Sequence, residues 1–233
     1  MGVEMAAIYD CSAPAELLSG MRLARAAIGR GELVVLPTDT VYGVAADAFN
    51  ARAVQRLLDA KGRTRQSPPP VLIPALPTLE ALATEIPDSA RLLVEAFWPG
   101  GLTLILPATP SLAWDLGETH GTVALRMPAD PLTLELLAET GPLAVSSANL
   151  TGQPAATTAQ EAFGMLGDSV AVYLDGGVRP EHTAEIVAGN DLASTIVDAT
   201  AADGTLTIVR RGAIDPARIA EVVGDLLRPD PGA

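Results

Sequence analysis

Apolar positions recur at helical spacing from Pro14 to Ile28, where Leu17, Leu18, Met21, Leu23 and Ala24 fall on one stripe and Ser12 stands as a possible cap. The same period returns behind Asn50, a second capping residue, with Ala53, Val54, Leu57 and Leu58 on one face through Ala60. Further helical patterns run over Thr78–Thr84, Asp88–Trp98, Pro131–Glu139, Thr157–Leu166 and Pro216–Leu227. Between them lie short β-rich runs: Glu32–Leu36, Val71–Ile73, Leu102–Leu106, Thr122–Met127, Leu143–Ser146, Val170–Leu174, Ser194–Asp198 and Thr205–Val209. Lys61 to Pro70 gathers three basic residues and three prolines and must be a loop. Val178 to Ala193 is polar and aperiodic, which predicts a mobile loop.

Helices and strands alternate irregularly, with no repeat and no linker that would divide the chain into two cores. The expected fold is a single α/β domain around a mixed parallel and antiparallel sheet with flanking helices. At 233 residues, 48% hydrophobic and 3% aromatic, it must fill its core with Leu, Val, Ile and Ala. No apolar run approaches the ~20 residues of a membrane helix. The opening residues, with Glu4 and Asp10 and no basic segment, do not read as a secretory leader, and Ala6 does not suit a myristoylation signal. One cysteine, Cys11, rules out an internal disulfide and any multi-cysteine metal site. The expected setting is soluble and cytoplasmic.

The formal net charge is −13, a field that repels a polyanion unless the basic groups are concentrated. Tight nucleic-acid binding is therefore not expected. Among the 15 basic residues Lys61 is the only lysine, suggesting a site where a compact ammonium cannot be replaced by a guanidinium fork.

Four clusters sit at strand ends, where open α/β sheets gather ligands. The first, Pro37-Thr38-Asp39-Thr40-Val41-Tyr42-Gly43, is either a capped turn or a polar site. The second, Lys61-Gly62-Arg63, either complements a helix dipole or, with Arg65, makes a positive patch suited to a polyphosphate. The third, Ser146-Ser147-Ala148-Asn149 with Gly152, is a turn or an anion-holding concavity. The fourth is a pair of arginines on strands, Arg126 and Arg210, each requiring a carboxylate or phosphate partner, from a ligand or from the protein's own Asp or Glu. There is no Walker-type loop, and His120 and His182 lack metal-ligand spacing. Without a nucleophile-base arrangement, the clusters point to positioning and charge neutralisation rather than covalent catalysis.

With these motifs in this order, from about Arg30 to Ile214, the sequence resembles the YrdC-domain family, the threonylcarbamoyl-AMP synthases. The resemblance rests on Pro37–Gly43, the Lys-x-Arg of Lys61 and Arg63, Trp98-Pro99-Gly100, Thr122–Pro128, Ser147-Ala148-Asn149, Ser194-Thr195-Ile196 and the segment at Arg210. It implies a twisted sheet around a deep cavity, with a YrdC-like domain at 1–214 and a C-terminal helix and tail at 215–233. It implies condensation of L-threonine with bicarbonate and transfer of the product to the α-phosphorus of ATP, a nucleotidyltransferase reaction. A downstream tRNA threonylcarbamoyl transferase would use the product for threonylcarbamoyladenosine modification of tRNA. By the same resemblance Lys61 and Arg63 are catalytic and bind the ATP phosphates with Ser147, Asn149 and Arg210, and Thr122 lies near the nucleotide. Thr38, Arg126 and Ser194 form the threonine site, and Mg²⁺ accompanies the triphosphate, the resemblance naming no protein ligand for it.

Three features depart from the family pattern. Pro74 stands where many members have a histidine, the usual Arg-Pro-Gly is Arg210-Arg211-Gly212, and the chain ends before the second domain of longer relatives. The alternative function is an RNA-binding or ribosome-associated factor. A carbamoyl-phosphate-dependent hydrogenase-maturation enzyme is a further relative, but those carry zinc-finger cysteines that this chain lacks.

Overall fold

A computed structural model describes residues 6–180 and 192–228. Most of the predicted loop at 178–193, including His182, lies outside the described residues. Seven α-helices and ten strands build one ten-stranded sheet among the described residues. The strands are β1 (Ala7–Asp10), β2 (Val34–Leu36), β3 (Gly43–Asp47), β4 (Val71–Leu72), β5 (Leu102–Pro107), β6 (Thr122–Arg126), β7 (Leu143–Ser147), β8 (Val172–Asp175), β9 (Thr195–Asp198) and β10 (Thr207–Arg210). Their order across the sheet is β1-β8-β2-β3-β7-β4-β6-β5-β9-β10. Pairing is mixed: β1 and β2 run parallel to β8, β4 to β6 and β5 to β9, while the other neighbours are antiparallel.

Two strands escape the hydrophobic pattern. β3 reads Gly-Val-Ala-Ala-Asp, with too little β-branched character to stand out, yet it pairs over its whole length with β7, from Gly43 opposite Ser147 to Asp47 opposite Leu143. β1 is an edge strand of four residues. Ser12 does not cap the first helix, α1 (Pro14–Gly29). Its hydroxyl donates to Asp10 Oδ1 at 2.7 Å, and the helix starts on Pro14, whose fixed φ suits a first turn.

The two halves of the sheet are covered differently. In the first half, side chains alternate between two apolar layers. Val34, Leu36 and Ala45 pack with α1 and α5 (Pro131–Thr140), while Val35 and Val44 pack with α2 (Ala51–Lys61) and α6 (Ala159–Leu166). In the second half, Leu102, Leu104 and Leu106 of β5 pack with α3 (Leu76–Leu82), α4 (Asp88–Phe97) and α7 (Pro216–Val223). The alternate residues of β5 and β6, namely Thr103, Ile105, Thr122, Ala124 and Arg126, face a cleft instead. That uncovered face positions the site. The terminal helix α7 is shorter than its apolar pattern suggested and contributes Ile219 and Val223 to the core. Among the described residues no helix is long and apolar enough to cross a membrane.

Candidate active site

The cleft has a volume of about 460 Å³. Three of its linings come from local chain geometry. Asn50 caps α2 by accepting from the backbone N–H groups of Arg52 and Ala53 at 3.1 and 3.2 Å, and Gly62 ends the helix in the left-handed region at φ 63°. That turn sends Arg63 forward to the cleft, while Lys61 is 1% exposed behind it. The Thr38–Gly43 turn joins β2 to β3, and the Ser147–Asn149 turn follows β7.

The structure brings Thr38, Arg63, Thr122, Arg126, Ser147, Ser194 and Arg210 together along one cleft. Lys61 and Asn149 are not on its wall. The Lys61 ammonium donates to Ser147 O, to Asn149 O at 2.7 Å and to Asn149 Oδ1 at 3.1 Å. All three ammonium protons therefore hold the turn that presents Ser147. Burial, and next the Arg63 guanidinium, pull its pKa down to about 7. Burial also lowers Arg63, which donates to Ser146 Oγ at 3.1 Å.

Arg126 has its partner within the protein. Its Nη2 donates to Asp39 Oδ1 at 2.7 Å, its Nη1 to Thr40 Oγ1 at 3.0 Å and its Nε to Gly100 O at 2.9 Å. A guanidinium carries five donor hydrogens, so two remain on the terminal nitrogens. Thr38 donates to Val41 O at 2.6 Å and lies 3.0 Å from Thr40 Oγ1, which makes Thr38, Thr40 and Arg126 one connected polar wall. At the opposite wall Arg210 donates to Ser194 O through Nε and Nη2 at 3.1 and 2.6 Å and to Ser194 Oγ at 3.0 Å.

The Arg210 segment depends on Gly212. A Cβ there would lie 2.3 Å from Ala193 O and 2.6 Å from the Ser194 carbonyl carbon. Gly212→Ala must push the end of β10 off this wall. It is expected to cost about 1–3 kcal/mol, a fall on the order of 5 °C in melting temperature, measurable by thermal denaturation.

Sequence reasoning left Asp39, Thr40, Thr103 and the Pro68-Pro69-Pro70 rim without roles, although Asp39 and Thr40 stood inside a noted motif. The signal for Thr103 was present, as the one polar residue among the apolar positions of Leu102–Leu106.

Among the described residues the charged side chains of the lining are Arg63, Arg126 and Arg210. Three guanidinium groups of an acidic α/β protein thus face one cleft, a lining with the charge to meet an anionic small molecule. The Sua5/YciO/YrdC family model, whose description is telomere recombination, matches residues 26–212, and the chain belongs to that family. A Mycobacterium leprae protein, provisionally assigned as a threonylcarbamoyl-AMP synthase, is 50% identical over 95% of this chain and 96% of its own length. The threonylcarbamoyl-AMP synthase of Bacillus subtilis is 39% identical over 87% of this chain and 56% of its own. Pyrococcus abyssi Sua5, crystallised with L-threonine, superposes with a TM-score of 0.82 at 32% identity, over 97% of this chain and 63% of that one. The chain thus spans about three fifths of the length of these last two relatives.

Proposed function

We propose that this chain makes threonylcarbamoyl-AMP from ATP, L-threonine and bicarbonate, as a nucleotidyltransferase. The amine of threonine adds to the bicarbonate-derived carbon with loss of water, giving a carbamate. A carbamate oxygen then attacks the α-phosphorus of ATP, the bond to the β-phosphate bridge breaks, and pyrophosphate leaves with the electron pair. The observation that carries this reading is the cleft lining, where, among the described residues, three guanidinium groups and a set of hydroxyl groups face inward in a chain of net charge −13. Relatives with this activity, and one holding L-threonine, favour the same substrates for this cleft.

Arg63 and Arg210 suit the triphosphate, with Ser147 on the turn that Lys61 and Asn149 brace, and Thr122 near the nucleotide. Arg126, Thr38 and Ser194 suit the amino acid, the two remaining Arg126 donors matching a carboxylate. Charge gathers on pyrophosphate as it leaves, and fixed cations stabilise it without reorganising. Among the described residues no group of three or more His, Cys, Asp or Glu could hold a metal. A lining that shows no carboxylate among the described residues fits Mg²⁺ that arrives on the triphosphate and shields its charge. The adenylate is labile, so a tRNA threonylcarbamoyl transferase would take it onward.

An RNA-binding role is less well supported. Arg25, Arg30, Arg65, Arg91 and Arg228, five of the exposed arginines outside the cleft, are each paired with a carboxylate.

Pyrophosphate release tests the proposal directly. It is expected only when ATP, threonine and bicarbonate are all present. Equal release with serine, or release without any amino acid, would overturn the assignment.

A further inference from the structure

Thr103 lies on β5 between two guanidinium-bearing walls. The β5–β6 register pairs Leu104 with Leu125, so the next pair sets Thr103 beside Arg126. On the other side, β9 runs parallel with Ile196 opposite Thr103, and Ser194 precedes that strand. Thr103 is 1% exposed and Ser194 5%, yet both line the cleft. Their hydroxyl oxygens are 2.8 Å apart, and Arg210 Nη2 donates to the Ser194 oxygen at 3.0 Å.

Proton counting fixes what this pair offers. Two hydroxyls bring two protons, and the bond between them uses one. Arg210 can only donate, so it takes none. Among the described residues no further acceptor stands within hydrogen-bond reach of either hydroxyl. If Thr103 donates to Ser194, the Ser194 proton is left over; if Ser194 donates, the Thr103 proton is. A buried hydroxyl without an acceptor is costly, and the only open direction is the cleft.

We propose that Thr103 and Ser194 act as one unit that delivers a single hydroxyl proton to an anionic oxygen of the amino-acid substrate, its carboxylate or the carbamate formed from it. This makes the Thr103–Ser194 pair, rather than Ser194 alone, the substrate contact. The acceptor is anionic because the proton lies between Arg126 and Arg210, where an oxygen bearing charge is stabilised from both sides. The proposal rests on the threonine-dependent reaction proposed above.

Kinetics of pyrophosphate release test it. Each hydroxyl removed takes with it both a proton and the acceptor that used one, so Thr103→Val and Ser194→Ala alone each leave one proton to deliver, and each is expected to raise the KM for threonine only a few-fold. Thr103→Val combined with Ser194→Ala leaves none, so the KM for threonine is expected to rise about ten- to a hundredfold, the loss of one charge-assisted hydrogen bond and well beyond the product of the single effects, with the KM for ATP little changed. The full rise in either single variant, or a double variant no worse than the product of the singles, would each overturn the proposal. Should Thr103→Val not fold, Thr103→Ala carries the same comparison. Wild-type protein that releases no pyrophosphate with threonine would instead defeat the functional reading itself, before any variant is compared.

Discussion

Arg126→Met is expected to abolish measurable pyrophosphate release, a loss of at least about a hundredfold in kcat/KM, and to destabilise the fold by about 3 kcal/mol. The two effects have separable origins. The guanidinium is held by Asp39, Thr40 and Gly100, and its side chain is 7% exposed against 20% for Asp39. Removing it strands a largely buried carboxylate, which is the source of the stability loss. Asp39 Oδ1 also accepts from Ala129 N at 2.9 Å, a bond that an amide oxygen could keep. Combining Arg126→Met with Asp39→Asn should therefore recover much of the stability and none of the activity. Urea denaturation beside the pyrophosphate assay reads both quantities. Recovery of activity in the double variant would show that Arg126 serves only to balance Asp39, and would end its role as the carboxylate clamp.

That pair also marks where sequence reading stops. An arginine inside Val123-Ala124-Leu125-Arg126-Met127 announces its need for a partner, but the pattern leaves open whether that partner is a ligand or the protein. The structure gives the protein's answer, Asp39 on one terminal nitrogen, and leaves two donor hydrogens beside it. β5 and β6 were legible as strands, expected over Leu102–Leu106 and Thr122–Met127 and found over Leu102–Pro107 and Thr122–Arg126. β3 was not, because Val-Ala-Ala owes its strand state to pairing with β7 and to packing between two apolar layers, neither of which is local. Ser12 misled for a related reason, since Asp10 lies close enough to capture its hydroxyl. Proximity among Arg63, Arg126 and Arg210 depends on sheet order, and spacing along the chain says nothing of it. The resemblance to a family supplied that step.

The lone lysine carries the last expectation. Lys61→Met is expected to reduce kcat/KM at least about a hundredfold while leaving secondary structure intact, and Lys61→Arg is expected to rescue little. The reason is geometric. The three acceptors on Ser147 and Asn149 surround a compact tetrahedral donor, and a planar guanidinium cannot reach all three from the same stem. With those oxygens unsatisfied, the turn relaxes and Ser147 loses its place on the wall. Lys61 is thus a positioning residue, and a proton measurement separates it from a merely structural one. Burial and Arg63 pull its pKa down to about 7, so at pH 8 the nucleotide-free protein has in part given up this proton, and with it one of the three bonds that the ammonium makes. A triphosphate beside Arg63 and Ser147 adds negative charge, favours the ammonium and raises that pKa. ATP binding at pH 8 should then take up protons, seen by calorimetry as a binding heat that depends on the ionisation enthalpy of the buffer. At pH 6, where the amine is already charged, the uptake should vanish, and in Lys61→Met it should be absent at both values. Equal uptake in Lys61→Met and wild type would place the titrating group elsewhere and break the link between this ammonium and the nucleotide.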